Sequence, residues 1–257
     1  MFTSNLTVAE HALGELLELE PVGQVMGSSF QKIGYTGRYG YNVRWSAGAV
    51  FHEMRPVSKA YNDARARALE RLENEARRLR AHAVVAVRIH RERRDFAGDA
   101  VELTAIGTAV RVPGGDARRA PVLTNLSGQD HYLLVRAGWR PLGIVAATSV
   151  FYVQASWRTQ RLTTGWRQWR NAELHDFTRG VYEAREHALE RVTEQAVDLR
   201  AAGVVGVAIE QHHETRHIDD SGRGGSREDL IVTFHVTGTA IAQGGGDLAV
   251  RPVVRRN

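Results

Sequence analysis

The chain repeats itself, and this repeat limits its fold more than any other feature of the sequence. Shifting the 257 residues by 120 positions places Ser4–Thr7 on Thr124–Ser127 and Ala68–Arg71 on Ala188–Arg191. Further matches in the same register extend over the length of a small domain. The sequence therefore predicts two homologous domains in tandem.

The register of the repeat changes once. Gly107–Ala109 matches Gly238–Ala240 at an offset of 131 instead of 120, so the second copy carries eleven extra residues. We expect them in a loop over the Gly-, Ser- and Arg-rich stretch Asp220–Asp229, and we expect Pro113–Pro121 to be a linker. The predicted boundaries are copy 1 at residues 1–112, a linker at 113–122, copy 2 at 123–243 and a flexible basic tail at 244–257.

Each copy opens with a signal for the start of a helix. Thr7 is followed by Glu10, and Ser127 by Asp130, which is the spacing of a capping box. The signal predicts short helices over residues 8–19 and 128–137. In the second copy, the run His131–Val135 is also compatible with a strand.

Longer apolar patterns define the rest of each copy. Apolar residues recur every three or four positions over residues 57–79 and 177–199, which predicts one long amphipathic helix per copy. Strand-like runs precede each helix, and two more follow it, which we expect to pair antiparallel. These runs cover residues 22–35, 83–89 and 101–106 in copy 1, and 142–156, 204–209 and 230–236 in copy 2. The fold class is therefore α+β in two layers: each domain is a small, mainly antiparallel sheet packed by one long helix, with a short helix ahead of it.

Composition excludes several classes of protein. Because the chain has no Cys, it has no disulfide framework, thiolate zinc site, iron–sulfur cluster or Cys nucleophile. Residues 1–7 do not resemble a secretory signal, and no apolar run is long enough to span a bilayer, so we expect a cytoplasmic protein without a membrane partner. The net charge of +5 comes mostly from Arg, which is typical of a high-GC genome; attraction to polyanions is the second interpretation.

Three pieces of each copy resemble the YbjQ-like family, known as heavy-metal-binding domains. They are a Gly-x-Val entry segment, a long helix that runs into a Val-Val strand, and a closing Gly-Thr-Ala. In this chain they lie at Pro21–Gly27 and Pro141–Val145, at Tyr182–Val207 with its copy 1 counterpart, and at Gly107–Val110 and Gly238–Ile241. The resemblance implies a small α/β domain that assembles into rings, typically pentamers, and it implies no established activity. The family's Gly-Gly-Arg-Ser stretch before the long helix has no match here, where Ser46–Gly48 and Thr164–Trp166 occupy that region.

The candidate metal ligands are His212, His213 and His217. Imidazole and nearby carboxylates suit a divalent ion such as zinc, copper or nickel. The competing interpretation is a solvated hairpin tip, and it is favoured because copy 1 has only His90 among several cations at this place. For His131, which matches His11 in copy 1, we expect a structural role.

A second candidate region interleaves aromatic residues with arginines. Such a surface stacks on bases and binds phosphates, or it forms an interface between subunits, where Trp and Arg are enriched. The implied ring assembly favours the interface. The candidates are Trp157, Arg158, Arg161, Trp166, Arg167, Trp169 and Arg170.

No catalytic motif is present in the sequence. It contains no phosphate-binding loop, no nucleophile elbow and no zinc-protease helix motif, so we predict no catalytic residue and no bound organic cofactor. The predicted function is a non-enzymatic, ring-forming homo-oligomer that acts as a scaffold or binds a ligand, with a divalent metal ion as the candidate cofactor. The alternative is a nucleic-acid-binding module that uses residues 157–170 and the basic tail Arg251–Arg256.

Overall fold

A computed structural model describes residues 7–8, 19–33, 49–94, 100–111, 119–163, 171–220 and 225–244. Copy 1 contributes β1 (Glu20–Lys32), β2 (Val50–Glu53), α1 (Arg55–Arg78), β3 (Ala83–Arg94) and β4 (Ala100–Arg111). The rest of the chain contributes β5 (Val122–Leu123), α2 (Gly128–Arg136), β6 (Trp139–Gln154), α3 (Trp157–Thr163), α4 (His175–Asp198), β7 (Gly203–Asp220) and β8 (Gly225–Gln243). The predicted α+β fold with two repeated domains is confirmed.

The two predicted N-terminal helices have different outcomes. In copy 2 the segment forms helix α2, not a strand, and the Ser127 hydroxyl caps it by accepting a hydrogen bond from the Asp130 backbone N–H at 3.0 Å. In copy 1 nearly all of the predicted helix over residues 8–19 lies outside the described residues.

The strands form two four-stranded sheets that exchange strands between the copies. The first sheet has the order β1-β4-β3-β5, and the second has the order β2-β6-β8-β7. Strand β2 comes from copy 1 but pairs with β6 of copy 2, with Val50 opposite Gln154. Strand β5, from the end of the predicted linker, pairs in parallel with β3 of copy 1. The two sheets therefore do not divide at the predicted boundaries between 112 and 123.

The extra residues of copy 2 lengthen a hairpin. Strand β7 continues to Asp220 and β8 begins at Gly225, and these two residues are opposite each other in the ladder. The prediction of a loop over Asp220–Asp229 was therefore wrong for Asp220 and for Gly225–Asp229, which lie in strands, while residues 221–224 lie outside the described residues. The physical reason is that Arg227 and Asp229, which read as loop residues, form a buried ion pair at 2.9 Å and so extend the buried part of β8.

Each long helix covers one face of its own sheet through small residues. Ala64 and Ala68 of α1, and Ala184 and Ala188 of α4, are fully buried. Helix α1 approaches β1 so closely that a Cβ atom on Gly27 would lie 2.0 Å from the Ala68 carbonyl oxygen. The rows of alanine in the sequence therefore mark close contact between helix and sheet.

Helix α1 also packs against the sheet of the other copy. Its residues Val57 and Tyr61 share one apolar cluster with Val150, Tyr152 and Ile231 of the second sheet. The cluster continues through the helix into the first sheet. The two copies are thus joined by a common core.

Candidate assembly interface

The outer edge of β6 is satisfied by side chains where β2 ends. Strand β2 covers β6 only from Phe151 to Gln154. Beyond that point the backbone of Thr148 bonds to one amide group of α1: Asn62 Oδ1 accepts from the Thr148 N–H, and Asn62 Nδ2 donates to its carbonyl, both at 3.0 Å. The amide replaces the two hydrogen bonds of an absent strand.

The neighbouring positions on this edge are bonded in the same way. The hydroxyl of Ser58 accepts from the Val150 N–H at 2.9 Å. At Ala146, the side-chain amide of Gln195 from α4 accepts from the N–H and donates to the carbonyl, both at 3.0 Å. Two helices, one from each copy, therefore protect the edge of the second sheet.

A buried chain of hydrogen bonds lies beside this edge. Arg65, only 5% exposed, donates to the Thr148 hydroxyl at 2.9 Å and to the Ala146 carbonyl at 2.8 Å. Because Arg has only donors, the Thr148 oxygen accepts from it, and the same hydroxyl lies in hydrogen-bond contact with His235 Nδ1, 2.8 Å away.

The surroundings of His235 keep it neutral. Burial is the main cause, and the positive charges of Arg91 and Arg65 add to it; together they lower the pKa of His235 to about 2. The ring also packs edge-on against Tyr61, with 5.2 Å between ring centroids.

Ion pairs extend the contact between the copies. Glu53, the last residue of β2, contacts Arg191 of α4, with Oε1 and Nη1 2.7 Å apart. Burial alone would raise the pKa of Glu53, but hydrogen bonds from Arg191 and Ser58 outweigh it and lower that pKa. Farther along, Arg91 contacts Glu210, and Arg93 Nη1 lies 2.8 Å from Glu214 Oε2.

The three candidate metal ligands are spread along β7. His212 and His213 are consecutive in the strand, so their side chains point to opposite faces. The His212 ring lies 5.8 Å from that of His235, and His217 Nδ1 lies 3.4 Å from Glu228 Oε1. Within the described part of the chain, no three His, Asp or Glu residues are grouped so that they could hold a metal ion. A divalent metal at these histidines stays a prediction.

The Arg/Trp segment is described only in its first half. Trp157, Arg158 and Arg161 lie in α3, where the Arg161 guanidinium sits 4.5 Å from the centre of the Trp157 ring. Trp157 is 47% exposed. Trp166, Arg167, Trp169 and Arg170 lie outside the described residues, as does the tail Arg251–Arg256. The role of the whole segment stays a prediction.

His131, for which we expected a structural role, is 5% exposed, and burial lowers its pKa.

Sequence reasoning missed the residues that join the copies. Ser58, Asn62 and Arg65 follow the helical spacing that places them on one face of α1. A set of polar residues aligned along one side of an otherwise Ala-rich helix was the available signal. It could not be recognised because the strand edge that it serves lies in the other copy.

No helix in the described ranges is long and apolar enough to cross a membrane.

Residues 8–113 and 139–243 each match the family described as "Putative heavy-metal-binding", so the chain belongs to this YbjQ-like family and carries its domain twice. The resemblance and the tandem duplication inferred from the sequence are confirmed. The chain is also similar to a curated protein, the Encapsulin nanocompartment protein Rv1762c of Mycobacterium tuberculosis. The two are 33% identical over 261 residues, which covers 98% of this chain and 89% of that protein.

Proposed function

We propose that this chain is a non-enzymatic, self-assembling scaffold protein of a nanocompartment. The observation that carries the proposal is the match, over nearly the full length, to a protein named for an encapsulin nanocompartment. We expect the chains to assemble into rings. Pentamer-based rings are the form that the family implies. A cytoplasmic location is part of the same proposal.

The chemistry of the central polar groups supports a structural role. Arg65, Thr148 and His235 are each at most 5% exposed, and hydrogen bonds link them to one another and to the Ala146 carbonyl. A buried group that is committed to structural hydrogen bonds has no access to a substrate. The comparisons give no support to the nucleic-acid alternative, and half of the segment on which it rests lies outside the described residues.

The experiment is native mass spectrometry of the purified chain, combined with negative-stain electron microscopy. We expect a closed assembly of several chains with one dominant mass at micromolar concentration. A dilution series is the control, because a specific assembly dissociates in defined steps whereas aggregates give a continuum of masses. A chain that stays single at all concentrations would contradict the proposal. Spectra taken with and without a chelator test the predicted divalent metal in the same samples.

A further inference from the structure

The contact between the two copies is head to tail. Copy 1 contributes β2, α1 and the sheet face that α1 covers; we call this its front. Copy 2 contributes the sheet face opposite to α4, together with the outer edge of β6; we call this its back. Because the copies are homologous, copy 1 also has a back and copy 2 also has a front, and this contact uses neither. A contact between unlike surfaces repeats until the assembly closes.

The back of copy 1 is built like the back that is occupied in copy 2. Glu75 Oε2 accepts from the Met26 N–H at 2.7 Å, as Gln195 does from Ala146 at the equivalent position, 120 residues later. Arg71 donates to the Ser28 carbonyl, as Arg191 does to that of Thr148.

Exposure shows the difference between the two backs. Met26 and Phe30 are each 53% exposed, whereas their counterparts Ala146 and Val150, covered by α1, are 4% and 1% exposed. Large apolar side chains on a strand face at the position of a buried interface mark a surface that another protein covers. The back of copy 1 therefore exposes large apolar side chains at the positions that form a buried interface in copy 2.

The front of copy 2 shows the complementary difference. Tyr182 of α4 is 62% exposed at the position where copy 1 has Asn62 on the β6 edge. Val207 is 47% exposed, although its counterpart Val87 is 2% exposed. This front therefore also lacks the partner that the front of copy 1 has.

We propose that the front of copy 2 docks onto the back of copy 1 of a second chain. This contact deepens the proposed function and rests on it, because it is the contact by which chains would assemble. Its centre is Tyr182 against Met26 and Phe30 of the next chain. Glu173, the counterpart of Glu53, pairs with Arg71 of that chain as Glu53 pairs with Arg191 within one chain.

Charges inside the chain specify which copies meet. Arg91 and Arg93, on the front of copy 1, pair with Glu210 and Glu214 on the back of copy 2. These pairs hold copy 1 against copy 2 and leave the other two surfaces to meet between chains.

The equivalent positions on the other two surfaces carry a different set of charges. The back of copy 1 has His90 where copy 2 has Glu210, so it offers no carboxylate at this position to Arg91 of another copy 1. The front of copy 2 carries Gln211 and His213 instead of the two arginines. Copy 2 is therefore the better partner for the back of copy 1, and the order of copies along the assembly alternates.

Two variants, each of which blocks one end, test the contact. Phe30→Asp places a charge on the back of copy 1, and Tyr182→Asp places one on the front of copy 2. We expect each variant alone to be a single chain, because a charge that is buried without a partner weakens association by more than about a hundredfold. Mixed in equal amounts, they should form a dimer of one Tyr182→Asp and one Phe30→Asp chain and grow no further, since its two outer surfaces are both blocked.

Val197→Asp is the matched control. Val197 is 68% exposed on the same helix as Tyr182, but its counterpart Arg77 bonds only to Glu73 and Asn74 of its own helix among the contacts described. This variant should assemble like the unmodified chain. Circular dichroism and thermal melting verify that all variants fold.

A charge exchange supplies the second test. Glu173→Arg alone should weaken assembly, and adding Arg71→Glu to the same chain should restore it. The inference is overturned if the folded Phe30→Asp and Tyr182→Asp chains both assemble normally, or if their mixture gives no dimer. If the unmodified chain is itself monomeric, the proposed function fails too. If it assembles but neither variant changes the assembly, only this contact is wrong.

Discussion

At the scale of single residues, burial and two nearby arginines keep a histidine neutral beside a threonine hydroxyl. The Thr148 hydroxyl accepts from Arg65 and lies 2.8 Å from His235 Nδ1. The equivalent pair in copy 1 is Ser28 and Thr104, whose hydroxyl oxygens lie 3.0 Å apart. The position thus keeps a polar contact in both copies, but only copy 2 has an imidazole there.

The neutral His235 makes stability depend on pH. Its folded-state pKa of about 2 is below the unfolded value of 6.5, so the unfolded chain takes up the proton first as the pH falls. The stabilising effect is fully present above pH 6.5 and is lost below it, at about 1.4 kcal/mol per pH unit. We expect His235→Asn to reduce the pH dependence of the unfolding free energy by this amount between pH 6.5 and 4, measured by urea denaturation.

Comparing the pH profile of the His235→Asn variant with that of the unmodified chain isolates the effect of His235. Burial also lowers the pKa of His52 and of His131, and both residues remain in the variant. Their contributions therefore cancel in the difference between the two pH profiles. Equal slopes for the variant and the unmodified chain would show that His235 is already protonated in the folded state.

At the scale of secondary-structure elements, close packing of α1 on β1 depends on Gly27. An added Cβ atom would lie 2.0 Å from the Ala68 carbonyl oxygen and 2.5 Å from the Leu72 nitrogen, both backbone atoms of the helix. We expect Gly27→Ala to destabilise the protein by about 3 kcal/mol, measured by chemical denaturation, because the whole helix has to move.

Gly203→Ala is the control for the change of residue type, since a Cβ atom there would meet nothing within 4 Å. Its effect should stay within about 0.5 kcal/mol. The equivalent of Gly27 in copy 2 is Ala147, which is 1% exposed under α4. A neutral Gly27→Ala would mean that α1 can shift to a position like that of α4.

Much of the element structure could be predicted from the sequence, because it is encoded locally. The apolar periodicity predicted a helix over 57–79, and α1 spans Arg55–Arg78; the strand predicted from residue 83 begins there. What the sequence could not show is which strand lies beside which. Strand β2 has only four residues, and its partner β6 is in the other copy, so no local pattern reports their pairing.

At the scale of the whole molecule, the shared core makes the two copies one cooperative unit. Strand β2 completes the second sheet and β5 extends the first, while α1 is packed against both. We expect a single unfolding transition in calorimetry, with equal calorimetric and van't Hoff enthalpies. The Phe30→Asp chain is the suitable sample, because dissociation of an assembly does not then overlap with unfolding. Two resolved transitions would show that the copies are independent.

The exchange of β2 has a consequence for the protein during its synthesis. The ribosome releases the N-terminal half first, so β2 and α1 are made before β6. Until β6 is present, the backbone of β2 and the side chains of α1 that contact β6 have no partner there. The nascent first copy therefore stays partly unfolded, and its unpaired strand β2 is able to pair with neighbouring nascent chains. We therefore expect that chaperones bind this intermediate, or that its folding begins slowly, so that it does not aggregate before β6 is made.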